Sequence, residues 1–287
     1  MLSQSVGATH RYTTAAAEEK VMLNMVQMNR VPKVQYTGSV GKAARTTVAA
    51  LTISLIAFAA VGAARAGADT GPYATMAPIA QYLMANQADE IAQARSAAPP
   101  SISDDAGVLI LDSHGYQTAV KGKNGFVCLV QRAWFSGLDD TEFWNPKERA
   151  PICFNPQAAR SVLPTFLKRT NWVLAGATRA EIIDRTKAAF AANEIPAPEV
   201  GTITYMMAKN AYLSDRGAGP WHPHLMFFLP RMDVAEWGAN VPGSPVMGAG
   251  GATEPWTIFF VPVANWSDGT PDAHPAMTHR ATSASNS

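Results

Sequence analysis

The sequence predicts an α+β domain, an antiparallel sheet with an N-terminal β-hairpin region and C-terminal strands, covered by three to four helices. Two observations carry this expectation. Strand-like apolar runs lie both before and after a central pair of helical segments, whereas a doubly wound sheet needs regular alternation of strand and helix. The strongest hairpin signal of the chain, Asn124-Gly125, lies between two such runs, and both residues tolerate positive φ.

Residues 76–95 form the first predicted helix. Ile79, Leu83, Met84 and Ile91 recur at helical spacing, Pro78 suits a first turn, and Pro99-Pro100 ends the segment. Residues 107–111 are a short apolar strand. Asp112-Ser113-His114 next to it cannot supply triad geometry from three neighbours and reads as a turn. Residues 116–121 and 126–134 flank Gly122-Lys123-Asn124-Gly125 as the two hairpin strands, with Cys128 on the second. Residues 136–152 read as a loop. Its Asp139-Asp140-Thr141-Glu142 cluster lacks the ordered ligand spacing of a calcium loop, so it reads as solvated charge.

Asn155-Pro156 is an N-cap followed by proline at the first helical position. That helix buries Val162, Leu163, Phe166 and Leu167, and Pro164 kinks or splits it. Thr178 and Glu181 form a capping box, which opens a helix with Ile182, Ile183, Thr186, Ala189 and Phe190 on its inner face. Residues 201–207, 222–229 and 256–263 read as strands, and residues 233–237 as one helical turn. Residues 238–254 form a long Gly/Pro-rich loop, and residues 271–287 a disordered tail without apolar pattern.

The segment before the domain sets the expected compartment. Lys42 and Arg45 precede an apolar run over residues 48–61, broken only by Thr52 and Ser54, and Ala64-Arg65-Ala66 follows as a small-x-small site. This is the order of a secretory signal peptide, assigned to residues 46–66. Residues 67–75 are then a linker and residues 76–270 the single domain. The alternative is an anchor formed by residues 46–64, although the run is shorter than the ~20 residues of a span. No cysteine stands at the cleavage site directly after the run, which argues against a lipid-modified N-terminus, and no Arg-Arg pair precedes the run, which points to the general secretory route. Residues 1–45 are a long polar leader for such a peptide. They read as disordered or untranslated, with a start at Val40 as one explanation.

The whole-chain charge of +1 conceals an asymmetry. Residues 1–66 hold seven of the 23 Lys/Arg and two of the 22 Asp/Glu, which leaves 16 basic against 20 acidic side chains beyond Ala66. A mildly acidic domain without a basic cluster excludes nucleic acid as the expected partner. All seven Trp lie in this part, enough for a large aromatic core. In an oxidising compartment the two cysteines, Cys128 and Cys153, predict one disulfide, the rival being two buried thiols.

One constellation bears on chemistry. Along residues 221–229, strand alternation puts Trp221, Leu225, Phe227 and Leu229 on one face, read as core. His222, His224, Met226 and Phe228 lie on the other. Two imidazoles and a thioether on one face are metal-ligand types, suited to copper, or to zinc with an added carboxylate. Met206 and Met207 add a sulfur if the preceding strand pairs with this one. The competing reading is a strand start at Pro223 with histidines that cap backbone groups and methionines that fill core. His114 is the remaining histidine within the domain, and His274 and His279 fall in the tail.

Four strings are distinctive: residues 94–99 (ARSAAP), residues 121–128 (KGKNGFVC), residues 151–155 (PICFN) and residues 222–226 (HPHLM). Together they resemble a group of uncharacterised exported bacterial proteins over residues 76–269. The resemblance implies a bacterial envelope location and carries no activity, cofactor or residue role.

The expectation is therefore an exported soluble protein, periplasmic or extracellular, that binds a small ligand, an envelope component or a metal. Two alternatives stand beside it: a metal-dependent hydrolase using His222 and His224, and a structural envelope protein without a small-molecule site.

Overall fold

The computed structural model describes residues 72–215, 222–250 and 253–273. The signal segment, the leader, Trp221 and residues 274–287 lie outside the described residues. Eight strands are present among them: β1 (Gly107–Asp112), β2 (Gly115–Val120), β3 (Val127–Gln131), β4 (Ala150–Phe154), β5 (Ile203–Met206), β6 (His224–Pro230), β7 (Met247–Ala249) and β8 (Trp256–Pro262). They join in one sheet of order β2-β1-β3-β4-β5-β6-β8-β7. Five helices accompany it: α1 (Gln87–Arg95), α2 (Pro100–Ser103), α3 (Pro156–Ser161), α4 (Leu163–Leu174) and α5 (Arg179–Ala191). The fold is α+β, and every neighbouring pair is antiparallel except β1 with β3, which is parallel.

That parallel pair corrects the predicted hairpin. β2 pairs with β1, through a turn in which the Asp112 carboxylate accepts from the His114 N–H at 2.7 Å. The Asn124-Gly125 string instead carries the chain across the start of β1. There Gly122 lies so close to the backbone of Gly107 that a Cβ would stand 2.2 Å from its nitrogen. Asn124 fastens the crossing by donating to the Ile102 carbonyl at 2.7 Å and accepting from the Phe126 N–H. Turn chemistry was legible here, and the strand partner was not.

The helical caps follow the residues that predict them. The Asn155 side chain accepts from Ala158 N–H, Pro164 sits in the first turn of α4 after a break at Val162, and Thr178 with Glu181 closes a full capping box on α5. The helix predicted over residues 76–95 is shorter. A 3-10 turn at Ile79–Gln81 precedes a restart at Asn86, whose side chain caps Ala88. Buried Tyr82 sets this break, its hydroxyl donating to the Trp144 carbonyl at 2.7 Å.

Two strands arise where the sequence predicts loop. β4 contains Pro151, which argues against a strand, yet β5 reaches only Cys153 and Phe154 and leaves Pro151 the freedom of an edge. β7 is a three-residue edge strand on β8. At the C-terminal end the packing continues past residue 270, because Pro271 bridges Asn265 and the Asp272 N–H donates to the Ala264 carbonyl at 2.8 Å. At the other end Tyr73 packs on the core, inside the predicted linker.

The sheet has two differently covered faces. One carries Val108, Cys128, Val130 and Cys153 beneath α1, in a small Ala-rich core. Cys128 and Cys153 are register partners and form a disulfide there, as predicted. The other face carries Leu111, Leu129, Ile152, Phe154, Met206, Met226 and Phe228, and α4 covers its first half with Leu163, Phe166 and Val173. Phe166 stacks on Phe135 at 4.6 Å and meets Phe154 and Trp256. Among the described residues no helix is long and apolar enough to cross a membrane.

Candidate functional site

Helical cover of this second face ends at Phe166, and a cavity of about 820 Å³ opens beyond it. Its floor is the face of β5, β6 and β8 that carries Met206, Met226, Phe228, Ile258 and Phe260. The ladder fixes their order: Met206 stands opposite His224, Met226 lies between Thr204 and Phe260, and Met247 of β7 extends the row beyond Phe260. Residues 135–137 and 211–214 form the walls. Gln131, Ser136, Asp140, Ser214, His222 and His224 supply the polar groups. An apolar cavity of this size with a few convergent polar side chains is the usual form of a small-molecule site.

The alternation predicted along β6 is present with its faces exchanged. His224, Met226 and Phe228 are buried, whereas Leu225, Phe227 and Leu229 are half-buried. The cause is long-range. The wall and Trp256 cover the histidine face, with Trp256 packed edge-on against Phe228. The opposite face of β6 meets the short turn Val234–Trp237, where Trp237 stacks on Phe259 and touches Phe227.

His222 and His224 both line the cavity, so the structure brings the two predicted residues together. His222 Nδ1 lies 2.6 Å from Asp272 Oδ2, and both side chains are largely buried. His224 Nδ1 donates to the His222 carbonyl at 2.9 Å, which leaves Nε2 as the basic nitrogen of the neutral ring. Burial pushes the pKa of His224 down to about 4, so the ring is neutral at pH 7. Among the described residues no three His, Cys, Asp or Glu side chains converge as a metal-binding group. His114 lies in the β1–β2 turn at the far side of the sheet from β6.

Several polar residues of the site escaped sequence reasoning. Glu148 is buried behind the wall and accepts from Gln131 Nε2 at 3.4 Å and Ser136 Oγ at 3.3 Å. Burial pushes its pKa up to about 8. Glu142, predicted as solvated charge, is also buried. It accepts from Asn145 at 2.8 Å, from the Ser214 hydroxyl at 2.8 Å and from the Asp215 N–H at 2.9 Å, and so ties the 211–214 wall to the segment that follows the 135–137 wall in the chain. Asp215 extends the tie to Lys147 and to the Tyr73 hydroxyl. Arg169, at 1 % exposure, donates to the carbonyls of Trp134 and Ser136, and Glu254 accepts from the Leu138 N–H at 2.7 Å. These residues share no local motif. Their common signal is charge inside an aromatic-rich stretch, which burial alone gives meaning.

No protein-family profile, curated protein or solved structure matches this chain.

Proposed function

We propose that this domain is a small-ligand-binding module whose ligand occupies the cavity between β5–β8 and the two walls. The observation that carries the reading is the position of the cavity. It interrupts an otherwise covered apolar face, and its walls are held by buried carboxylates and a buried arginine rather than by loose loop contacts. Ala249, exposed at the mouth on β7, offers a test that spares the core. Small apolar compounds should raise the melting temperature of the wild-type protein, and Ala249→Trp should abolish that rise. If no compound stabilises the wild type, or if Ala249→Trp leaves the rise intact, the reading fails.

A second reading is a zinc or copper site at His222, His224 and Met226, with Met206 beside His224. The favouring observation is the carboxylate of Asp272 on His222, because metal-ligating histidines commonly donate their second nitrogen to a carboxylate. Two imidazoles with thioethers are a copper-type donor set. Elemental analysis after zinc or copper supplementation, beside His222→Ala, tests it; metal-free wild-type protein removes this reading and the hydrolase alternative with it. The place of action we propose is an oxidising compartment of the cell envelope or outside the cell, supported by the Cys128–Cys153 disulfide.

A further inference from the structure

The charge of the cavity lining narrows the ligand, on the reading that the cavity is a binding site. Among the described residues that line it there is no Lys or Arg, and the single carboxylate, Asp140, already accepts from the Glu142 N–H at 2.8 Å. Among the described residues, three arginines near its walls are engaged away from it. Arg169 turns to the carbonyls of Trp134 and Ser136 and to Glu254. Arg149 donates to the carbonyls of Pro146, Glu148 and Gln81. Arg132 is paired with Glu90 in the core.

A carboxylate or phosphate head brought against this lining loses its hydration, a cost that grows as the surroundings become more apolar. It meets no Lys or Arg among the described residues, and His222 is already turned to the Asp272 carboxylate. A hydroxyl or carbonyl head meets no such penalty: Ser136 Oγ, whose proton goes to Glu148, can accept, and Gln131 has an amide oxygen and a second N–H besides the one given to Glu148. The floor asks for the other end of the molecule. Met206, Met226, Phe228, Ile258 and Phe260 present thioethers, aromatic rings and one aliphatic chain, and methionine adapts to the shape of an apolar partner.

We infer that the cavity receives an uncharged amphiphile, with an apolar body on the floor of β5, β6 and β8 and a single hydroxyl or carbonyl head at Gln131 and Ser136.

Three probes of equal chain length separate the head from the body: decanol, decanoate and decylammonium. Each is titrated at pH 7 into the wild-type protein and into Ala249→Trp, with intrinsic tryptophan fluorescence or calorimetry as readout and melting temperature as the check on folding. Decanol should bind the wild type about tenfold or more tightly than either charged probe, and Ala249→Trp should weaken it at least about tenfold. If decanoate or decylammonium binds as tightly as decanol, the uncharged head is refuted while the cavity reading stands. If none of the three binds the wild type, or if Ala249→Trp changes nothing, both readings fall.

Discussion

Arg169 and Glu254 meet in a buried ion pair, 3.3 Å from Nη2 to Oε2, behind the cavity wall. The pair joins α4 to the approach of β8, and the same two side chains hold the backbone of residues 134–138 from inside. Phe166 lies under the guanidinium, 5.6 Å from its carbon to the ring centre.

Arg169→Met should therefore cost about 3–5 kcal/mol, the usual effect of removing one partner of a buried pair, because Glu254 and two carbonyls lose their donor together. Chemical denaturation measures this. A loss below about 1 kcal/mol would show that the wall does not depend on the pair.

Glu148 makes a prediction about alkaline pH. Its pKa in the folded protein, about 8, lies above the ordinary carboxylate value near 4.5. Between those limits the folded state holds a proton that the unfolded state has released, so stability falls as pH rises from about 4.5 to about 8. Glu148→Gln keeps the hydrogen-bond geometry and removes the titration. Its melting temperature should decline less than that of the wild type across this interval, at about 2–4 °C per kcal/mol for a domain of this size. Parallel curves for the two proteins would contradict the assignment.

His224 acts in the opposite direction. Its folded pKa of about 4 lies below the ordinary 6.5, so the unfolded chain takes up the proton first. Stability is fully present above about pH 6.5 and declines as pH falls toward 4. His224→Asn retains a donor for the His222 carbonyl and should flatten this acid limb. An unchanged acid limb would mean that the imidazole is hydrated in solution.

Cys128 and Cys153 should yield no free thiol in the denatured, unreduced protein. Reduction, or Cys128→Ser with Cys153→Ser, should cost about 3 kcal/mol by the loop-entropy estimate for a separation of 25 residues. About two thiols per chain would disprove the pairing.

What the sequence made legible here is local. Asn155, Pro164 and the Thr178–Glu181 box specify their helical ends through groups within four residues, and each is found as read. The disulfide was legible through a compartment argument, and the β3–β4 register supplies its geometry. Alternation along β6 gave the parity of His224 and Met226 but not the face that is covered, because that depends on Phe166, Trp256 and residues 134–138. Asp272 sits 50 residues from His222 in a stretch without apolar pattern, so nothing near it announces the contact. The cavity belongs to the same class of feature, since each wall comes from a segment distant in sequence from the floor.

The β3–β4 disulfide has a mechanical side as well. Residues 135–137 of the first wall and the anchors Glu142 and Glu148 lie between Cys128 and Cys153, so a pull on the chain ends passes through sulfur and bypasses them. Oxidised protein stretched to full extension should come up short by roughly 85 Å, the contour held in that ring, and reduction should release it as one step. Under tension the 135–137 wall is a slack loop behind a covalent shortcut, whereas the 211–214 wall lies in the loaded part of the chain.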